Sequence, residues 1–295
     1  MIKKYLRLIR IIFWVLKENP KIFFKRIFLI LKSIFLPFPK NSCFKNINGV
    51  IFRFDFKNYC DLERNMYAGL YEMGVRETLK TFLKKGDTFV DVGANIGYIS
   101  AIGAGLVGEK GWVYSFEPVP EFFLKLQNLA KLNSAYNIVA NQFALSNKQE
   151  ETKIYVSDYS NIGNNTILPA LLDKEKIRET LLIQTHRLDE YIESKNIKNI
   201  KVIKIDTEGF EYPVLLGLKD FLKKCCIEKL FAPPLIICEI APQSYNLLGY
   251  KLEDIFEYMQ QFNYFPFSIL NFKKEMSLRD IKREATINII FRVKA

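Results

Sequence analysis

The sequence predicts an α/β fold built on a doubly wound, mostly parallel sheet. Two observations predict it. From Gly86 onward, short apolar runs alternate with amphipathic helical stretches. The later runs are nearly all apolar, as strands covered on both faces are. Thr88–Val92 reads as the first strand, followed by a glycine-rich turn and a helix from about Gly97. Trp112–Phe116 is the second strand, and Pro120–Leu132 a helix with Phe123, Leu126, Leu129 and Ala130 on its inner face. Ile138–Leu145 is expected as a third strand, Lys201–Ile205 as a fourth and Leu235–Ile240 as a fifth. A helix over Leu252–Gln261 precedes two closing strands, Tyr264–Ile269 and Thr286–Val293. Residues 147–200 are less regular and are expected to form an excursion over the binding edge of the sheet. There is no internal repeat and no low-complexity tract.

Charge divides the 295 residues unevenly. The chain has 43 basic and 32 acidic side chains, a formal +11, with one His. Residues 1–40 hold ten basic groups against Glu18, or +9, which leaves 33 basic and 31 acidic groups, +2, for the rest. A protein that wraps nucleic acid over its whole surface would spread its charge differently. We expect a basic amphipathic arm over 1–40 and a nearly neutral body over 41–295, its core at about 86–293. In the arm, Lys3, Arg7, Arg10 and Lys17 share one helical face and Ile2, Leu6, Ile9, Phe13 and Leu16 the other. Asn19-Pro20 ends that helix, and a second piece, Lys21–Leu36, stops at Pro37 and Pro39. Its cations interrupt every apolar run short of the ~18–20 residues a membrane span needs. With Trp14 and many Phe it suits the surface of an anionic membrane. The alternative is a helix pair packed on the body or on a second subunit. The oligomeric state is not legible.

Five cysteines without a C-x-x-C pair read as reduced thiols in a cytosolic core. No small-residue cleavage site follows the arm, so the chain is expected in the cytoplasm, peripheral at the inner membrane face. One His excludes His-rich metal motifs.

In a doubly wound sheet, ligands bind beyond the carboxyl ends of the strands. Asp91-Val92-Gly93-Ala94-Asn95-Ile96-Gly97 stands there, with Gly93 and Gly97 permitting a tight turn. Glu117, at the end of the next strand, is placed to accept hydrogen bonds from a ribose diol. The loop is G-x-x-x-G, not the G-x-G-x-x-G of dinucleotide binders, so a pyrophosphate is disfavoured. An acidic Asp91 ahead of it better suits a cationic ligand end.

These residues resemble the FkbM-type methyltransferases of the class I fold. The likeness rests on Phe89–Tyr98, Phe116-Glu117-Pro118, Ala144-Leu145-Ser146, the string Val202–Tyr212 (V-I-K-I-D-T-E-G-F-E-Y) and Ile237-Cys238-Glu239-Ile240. The string at the fourth strand is the most specific piece. The resemblance implies a Rossmann-like, mostly parallel seven-stranded sheet with S-adenosyl-L-methionine as cofactor. It implies that Asp91, Gly93, Asn95 and Gly97 line the methionine and ribose part, and that Glu117 holds the ribose hydroxyls. Ala144 and Leu145 would lie against the adenine, and Glu72 would edge the pocket.

Methyl transfer needs alignment and a base for the acceptor hydroxyl. Asp206 and Glu208 follow the fourth strand and, if extended, face the same side; Glu239 completes a cluster of three candidate catalytic carboxylates. The same three could hold a divalent cation, or Asp206 and Glu208 could cap the helix beginning near Phe210. Glu211 reads as structural. His186 reads as a surface or capping residue, and Ala232-Pro233-Pro234-Leu235 as a loop. Asp158–Thr166 reads as a flexible cover for the acceptor. The function expected is O-methylation of a hydroxyl on a sugar, glycoconjugate or other small molecule displayed at a membrane. A non-catalytic membrane-docked assembly subunit and an RNA methyltransferase are the alternatives, and nucleic acid is the partner the near-neutral body disfavours.

Overall fold

The computed structural model describes residues 16–35, 39, 41–56, 60–158, 165–172, 174–282 and 286–294. The helix expected over the arm before residue 16 lies outside these. Helix α1 (Pro20–Phe35) begins at Asn19, whose Oδ1 accepts the Ile22 N–H at 3.1 Å, with Pro20 in the first helical position. A hairpin follows, β1 (Ser42–Ile47) and β2 (Val50–Asp55), then α2 (Cys60–Ala68) and α3 (Met73–Phe82). The repeating unit then starts: β3 (Thr88–Val92), α4 (Tyr98–Val107), β4 (Trp112–Phe116), α5 (Pro120–Leu132), β5 (Asn137–Asn141). Next come β6 (Ala144–Leu145), β7 (Glu150–Ser157), β8 (Ile177–His186), α6 (Leu188–Ser194) and β9 (Ile200–Ile205). The chain continues through α7 (Glu211–Leu216), α8 (Lys219–Cys226), β10 (Leu235–Ile240), α9 (Pro242–Tyr245) and α10 (Leu252–Gln260). It closes with β11 (Tyr264–Ser268), α11 (Leu278–Lys282) and β12 (Ile287–Val293).

Seven strands form the main sheet in the order β11-β12-β10-β9-β3-β4-β5. From β10 to β5 all neighbours are parallel, and β12 alone runs against them. The chain leaves β3 toward β5 and returns to β9 on the other side, so the order reverses between β3 and β9. That is the crevice in which such sheets bind ligands.

Strand periodicity sorts the core into two layers. Phe89, Val113, Val202 and Ile237 pack on the face covered by α3, α4, α5 and the hairpin. Val90, Phe116, Ile203 and Ile236 pack on the opposite face with α6, α7, α8 and α10. The rule also predicts where the polar strand residues go: Asp91, Lys204 and Glu239 share the first face.

Two expectations are corrected. The stretch 138–145 is not one strand. The Asn141 side chain turns back on the Ser115 and Val139 carbonyls at 3.2 and 3.3 Å, ending β5. Ala144-Leu145 then pairs with Thr185-His186 in a separate three-stranded sheet, β6-β8-β7. Within 147–200 the described residues form the antiparallel pair β7 and β8, followed by α6. On α5, Phe122 rather than Phe123 is fully buried. Among the described residues Cys43, Cys225, Cys226 and Cys238 are free thiols, and no helix is long and apolar enough to cross a membrane.

Asn133 is one of the side chains that tie the hairpin to the body. Asn133 Oδ1 accepts the Ile51 N–H at 2.7 Å, while its Nδ2 donates to the Ile51 and Leu129 carbonyls at 2.8 and 2.9 Å. Asn133 is 5% exposed, so nothing replaces these bonds when they are lost. Asn133→Ala should cost about 2–4 kcal/mol, read from urea denaturation midpoints; a loss below 1 kcal/mol would show that the hairpin is held by its apolar face alone.

Candidate active site

At the reversal point β3 and β9 run side by side with Asp91 opposite Lys204 and Val92 opposite Ile205. The ladder continues one step, the Asp206 N–H donating to the Val92 carbonyl at 3.2 Å. Asp206 thus stays in phase with Lys204 and Asp91. The Lys204 ammonium sits 3.1 Å from Asp206 Oδ2 and 3.5 Å from Asp91 Oδ1, and donates to the Gly93 carbonyl at 3.4 Å. Lys204 is 3% exposed and Asp91 fully buried. Burial opposes a charge here, but Asp206, Asp91 and Glu72 outweigh it and hold the Lys204 pKa above its ordinary value. The second Asp91 oxygen accepts the Ser100 hydroxyl at 2.6 Å.

Beyond Asp206 the chain turns rather than staying extended. Glu208 adopts φ 54, the left-handed region that non-glycine residues avoid. The turn is held from below by the fully buried Glu211. Its Oε1 accepts the Thr207 N–H at 3.1 Å, the Thr207 hydroxyl at 3.2 Å and the Gly209 N–H at 2.9 Å. From above, the Thr166 hydroxyl donates to the Glu208 carbonyl at 2.8 Å. Neither Asp206 nor Glu208 caps α7; Phe210 is the N-cap residue, without a side-chain cap. Glu211 does the structural work instead.

The turn still brings Asp206 and Glu208 together with Glu239 from the end of β10. One carboxylate oxygen from each lies within 4.8 Å of the others, a spacing that a shared proton or a cation can bridge. Burial, then the Asp206 and Glu211 carboxylates, push Glu208 up to about 9. Burial, then Asp206 and Glu208, push Glu239 up to about 11. Both therefore hold their protons at neutral pH, while Asp206 is the carboxylate paired with the ammonium. Glu239 Oε2 is buried without a hydrogen-bond partner.

A cleft of about 700 Å³, counted to its open mouth, runs along these strand ends. Of the residues predicted to hold a cofactor, Gly93, Asn95, Glu117, Ala144 and Leu145 line it, joined by Asp206 and Glu208. Gly93 is at φ +75, and a Cβ there would sit 1.8 Å from the Asp206 carbonyl, so glycine is required for the two strand ends to close up. Glu117 accepts the N–H groups of Asn95 and Val119 at 2.8 and 2.9 Å. Burial nevertheless raises its pKa to about 7.

Three predicted residues sit elsewhere. Asp91 lies beneath the loop, anchored to Ser100 and Lys204, and forms no part of the cleft wall. Gly97 faces Leu126 and Leu129, so its role is helix packing. Glu72 stands behind Tyr71, near Asp206, where burial against the pull of Lys204 raises its pKa to about 8. Sequence reasoning missed Lys204, whose signal was a lysine inside an apolar strand, and the wall residues Tyr71, Phe143 and Thr207. His186 packs on Phe143, ring centroids 4.4 Å apart, away from the carboxylates. Of the stretch expected as a flexible cover, residues 159–164 lie outside the described residues, while Asn165 lines the cleft, as does Ile167 just beyond it.

Comparison with known proteins matches the model of the methyltransferase FkbM domain to residues 91–266. The chain is 28% identical over 151 residues to methyltransferase 1 of Beauveria bassiana, covering 45% of this chain and 59% of that protein. It is 26% identical over 153 residues to the hexuronic acid methyltransferase AglP of Haloferax volcanii, covering 51% and 59%. The chain thus spans 59% of the length of each of these relatives. Among solved structures, the methyltransferase FkbM of Methylobacillus flagellatus KT gives a TM-score of 0.43 at 18% identity, covering 79% of this chain and 60% of that one.

The raised carboxyl groups set a pH dependence. Glu208 and Glu239 bind protons in the folded state at pH values where the unfolded chain has lost them, so stability must fall as pH rises from the carboxylate range toward about 9 and 11. Wild-type urea midpoints should decline between pH 5 and pH 9, and Glu239→Gln should make that decline shallower. An equal decline in both proteins would remove Glu239 from the charge cluster.

Proposed function

The chain belongs to the FkbM methyltransferase family, and from that premise we propose that it methylates a hydroxyl oxygen of a sugar or glycoconjugate. The observation that carries the reading is the convergence of Asp206, Glu208 and Glu239 at one end of a cleft whose other wall is Gly93, Asn95 and Glu117. The residues on that wall fit S-adenosyl-L-methionine: a close-approach glycine, a carboxyl group at a strand end, and the apolar pair Ala144-Leu145. When bound, the cofactor supplies an electrophilic methyl group on a sulfonium.

The chain's own residues then have three tasks. Asp206, paired with Lys204 at 3.1 Å, is the acceptor for the hydroxyl proton. Glu208 and Glu239, protonated at neutral pH, donate hydrogen bonds to neighbouring acceptor oxygens and orient the attacking one. Lys204 is a positioning residue: it is buried under Asp206 and fixes the carboxylate without reaching the cleft. A polyhydroxylated acceptor suits a site that offers one hydrogen-bond acceptor and two donors. The relative named as a hexuronic acid methyltransferase supports a sugar over other hydroxyl compounds.

Incubation with labelled cofactor and a panel of hexuronic acids, neutral sugars and phenols should label the sugar arm. Asp206→Asn should lower kcat by about 10²–10⁴ while cofactor affinity, measured by calorimetry, changes little. Retained turnover would exclude Asp206 as the proton acceptor, and labelling confined to phenols would exclude a sugar.

A further inference from the structure

Helix α1 is apolar on two sides, and the body covers one of them. Ile22 is buried, Phe23 and Leu29 pack against the core, and the Asn19 amide donates to the Leu270 carbonyl at 2.8 Å. Lys25 pairs with Glu77 of α3 at 2.6 Å. Glu18, just before the helix, pairs with Lys274. The helix is therefore seated in a fixed rotation. On its outer side Phe24, Ile27, Phe28 and Leu31 remain 64%, 38%, 64% and 53% exposed. Their spacing of three, four and seven residues makes one continuous stripe. Lys21, Lys25 and Lys32 run along one border of that stripe, following the same helical spacing.

We propose that this stripe is a docking face for an anionic lipid bilayer, with the phenyl rings at the headgroup–acyl boundary and the lysine row among the headgroups. The charge of the arm selects the occupant. Residues 1–40 hold +9, so pairing two such faces in a dimer would oppose like charges, whereas an anionic surface attracts them. A second group of cations agrees. Burial, then Lys32 and Arg76, lower the Lys45 pKa, a repulsion that an anionic headgroup relieves. A helix lying in the interface with an apolar stripe and a cationic border is the arrangement that binds surfaces without spanning them.

The docking face also connects to the site. A Cβ on Gly69 would touch Leu29 at 3.8 Å, and two residues on, Tyr71 forms part of the cleft wall. The helix that meets the bilayer thus shares a loop with the wall of the cleft. The docking itself does not depend on the methyl-transfer reading and is tested without a turnover assay.

The test is flotation of the full chain with vesicles of phosphatidylcholine alone and with roughly a third phosphatidylglycerol. Wild type should float with the anionic vesicles and stay behind with the zwitterionic ones. The double variant Phe24→Gln/Phe28→Gln should bind at least about tenfold more weakly, with an unchanged thermal midpoint. As a conservative second reporter, Phe28→Trp should gain fluorescence quenched by brominated anionic lipid beyond the wild-type signal. Wild type that does not float, a double variant that floats as wild type does, or a dimer that the double variant dissociates would each overturn the proposal.

Discussion

One buried ammonium organises the centre of this molecule. Lys204 stands where the sheet reverses direction, with Asp91 on the neighbouring strand and Asp206 two residues along its own. Leaving any member unpaired in that environment costs several kcal/mol, so the three fix one another's positions. Because Asp91 belongs to β3 and Asp206 ends β9, the triad locks together the two strands that bound the cleft. The glycine loop starts just after β3, which carries Asp91, and the carboxylate turn just after β9, which carries Lys204. Both walls therefore take their register from the same charge.

Around that lock the backbone holds conformations that ordinary residues avoid. Asn95, Glu208 and Glu72 have φ of 50, 54 and 42. Such residues cost on the order of 1–3 kcal/mol each and persist where their surroundings overdetermine them. Here those surroundings are identifiable. The Glu117 carboxyl takes the Asn95 amide, and Glu211 and Thr166 grip the turn that holds Glu208. Buried carboxyl groups thus serve as internal caps for loops that have no secondary structure to satisfy them.

Much of this was legible in the sequence because strands buried on both faces write themselves as uniform apolar runs. β3, β4 and β10 coincide with their predicted limits. The site string was legible too, since Asp206, Glu208 and Glu239 are acidic residues at the ends of such runs. What escaped is non-local. Nothing near Lys204 announces that Asp91, far earlier in the chain, lies opposite; the pairing depends on which strands become neighbours. The division of 138–145 into two sheets has the same origin, because Ala144-Leu145 finds its partner in β8, far along the chain. Asp91 was misplaced for a related reason: an acidic residue before a glycine loop reads as facing the ligand, whereas strand alternation turns it onto the covered face.

That misplacement changes the source of the site's charge without changing its sign. Asp91 cannot select a cationic ligand, since Lys204 already answers it and no part of it reaches the cleft. The carboxyl groups that line the cleft are Asp206, Glu208 and Glu117, with Glu239 clustered against the first two, and Lys204 is the cation buried beneath Asp206. A diphosphate brought here would meet carboxyl oxygens in place of the amide-rich turn it needs. A sulfonium would instead relieve the same crowding that keeps Glu208 protonated, and a hydroxyl entering above Asp206 would find an ion-paired acceptor already oriented. On the proposed function, the case against a dinucleotide therefore rests on the fourth-strand carboxyl groups, the same groups assigned there to the acceptor.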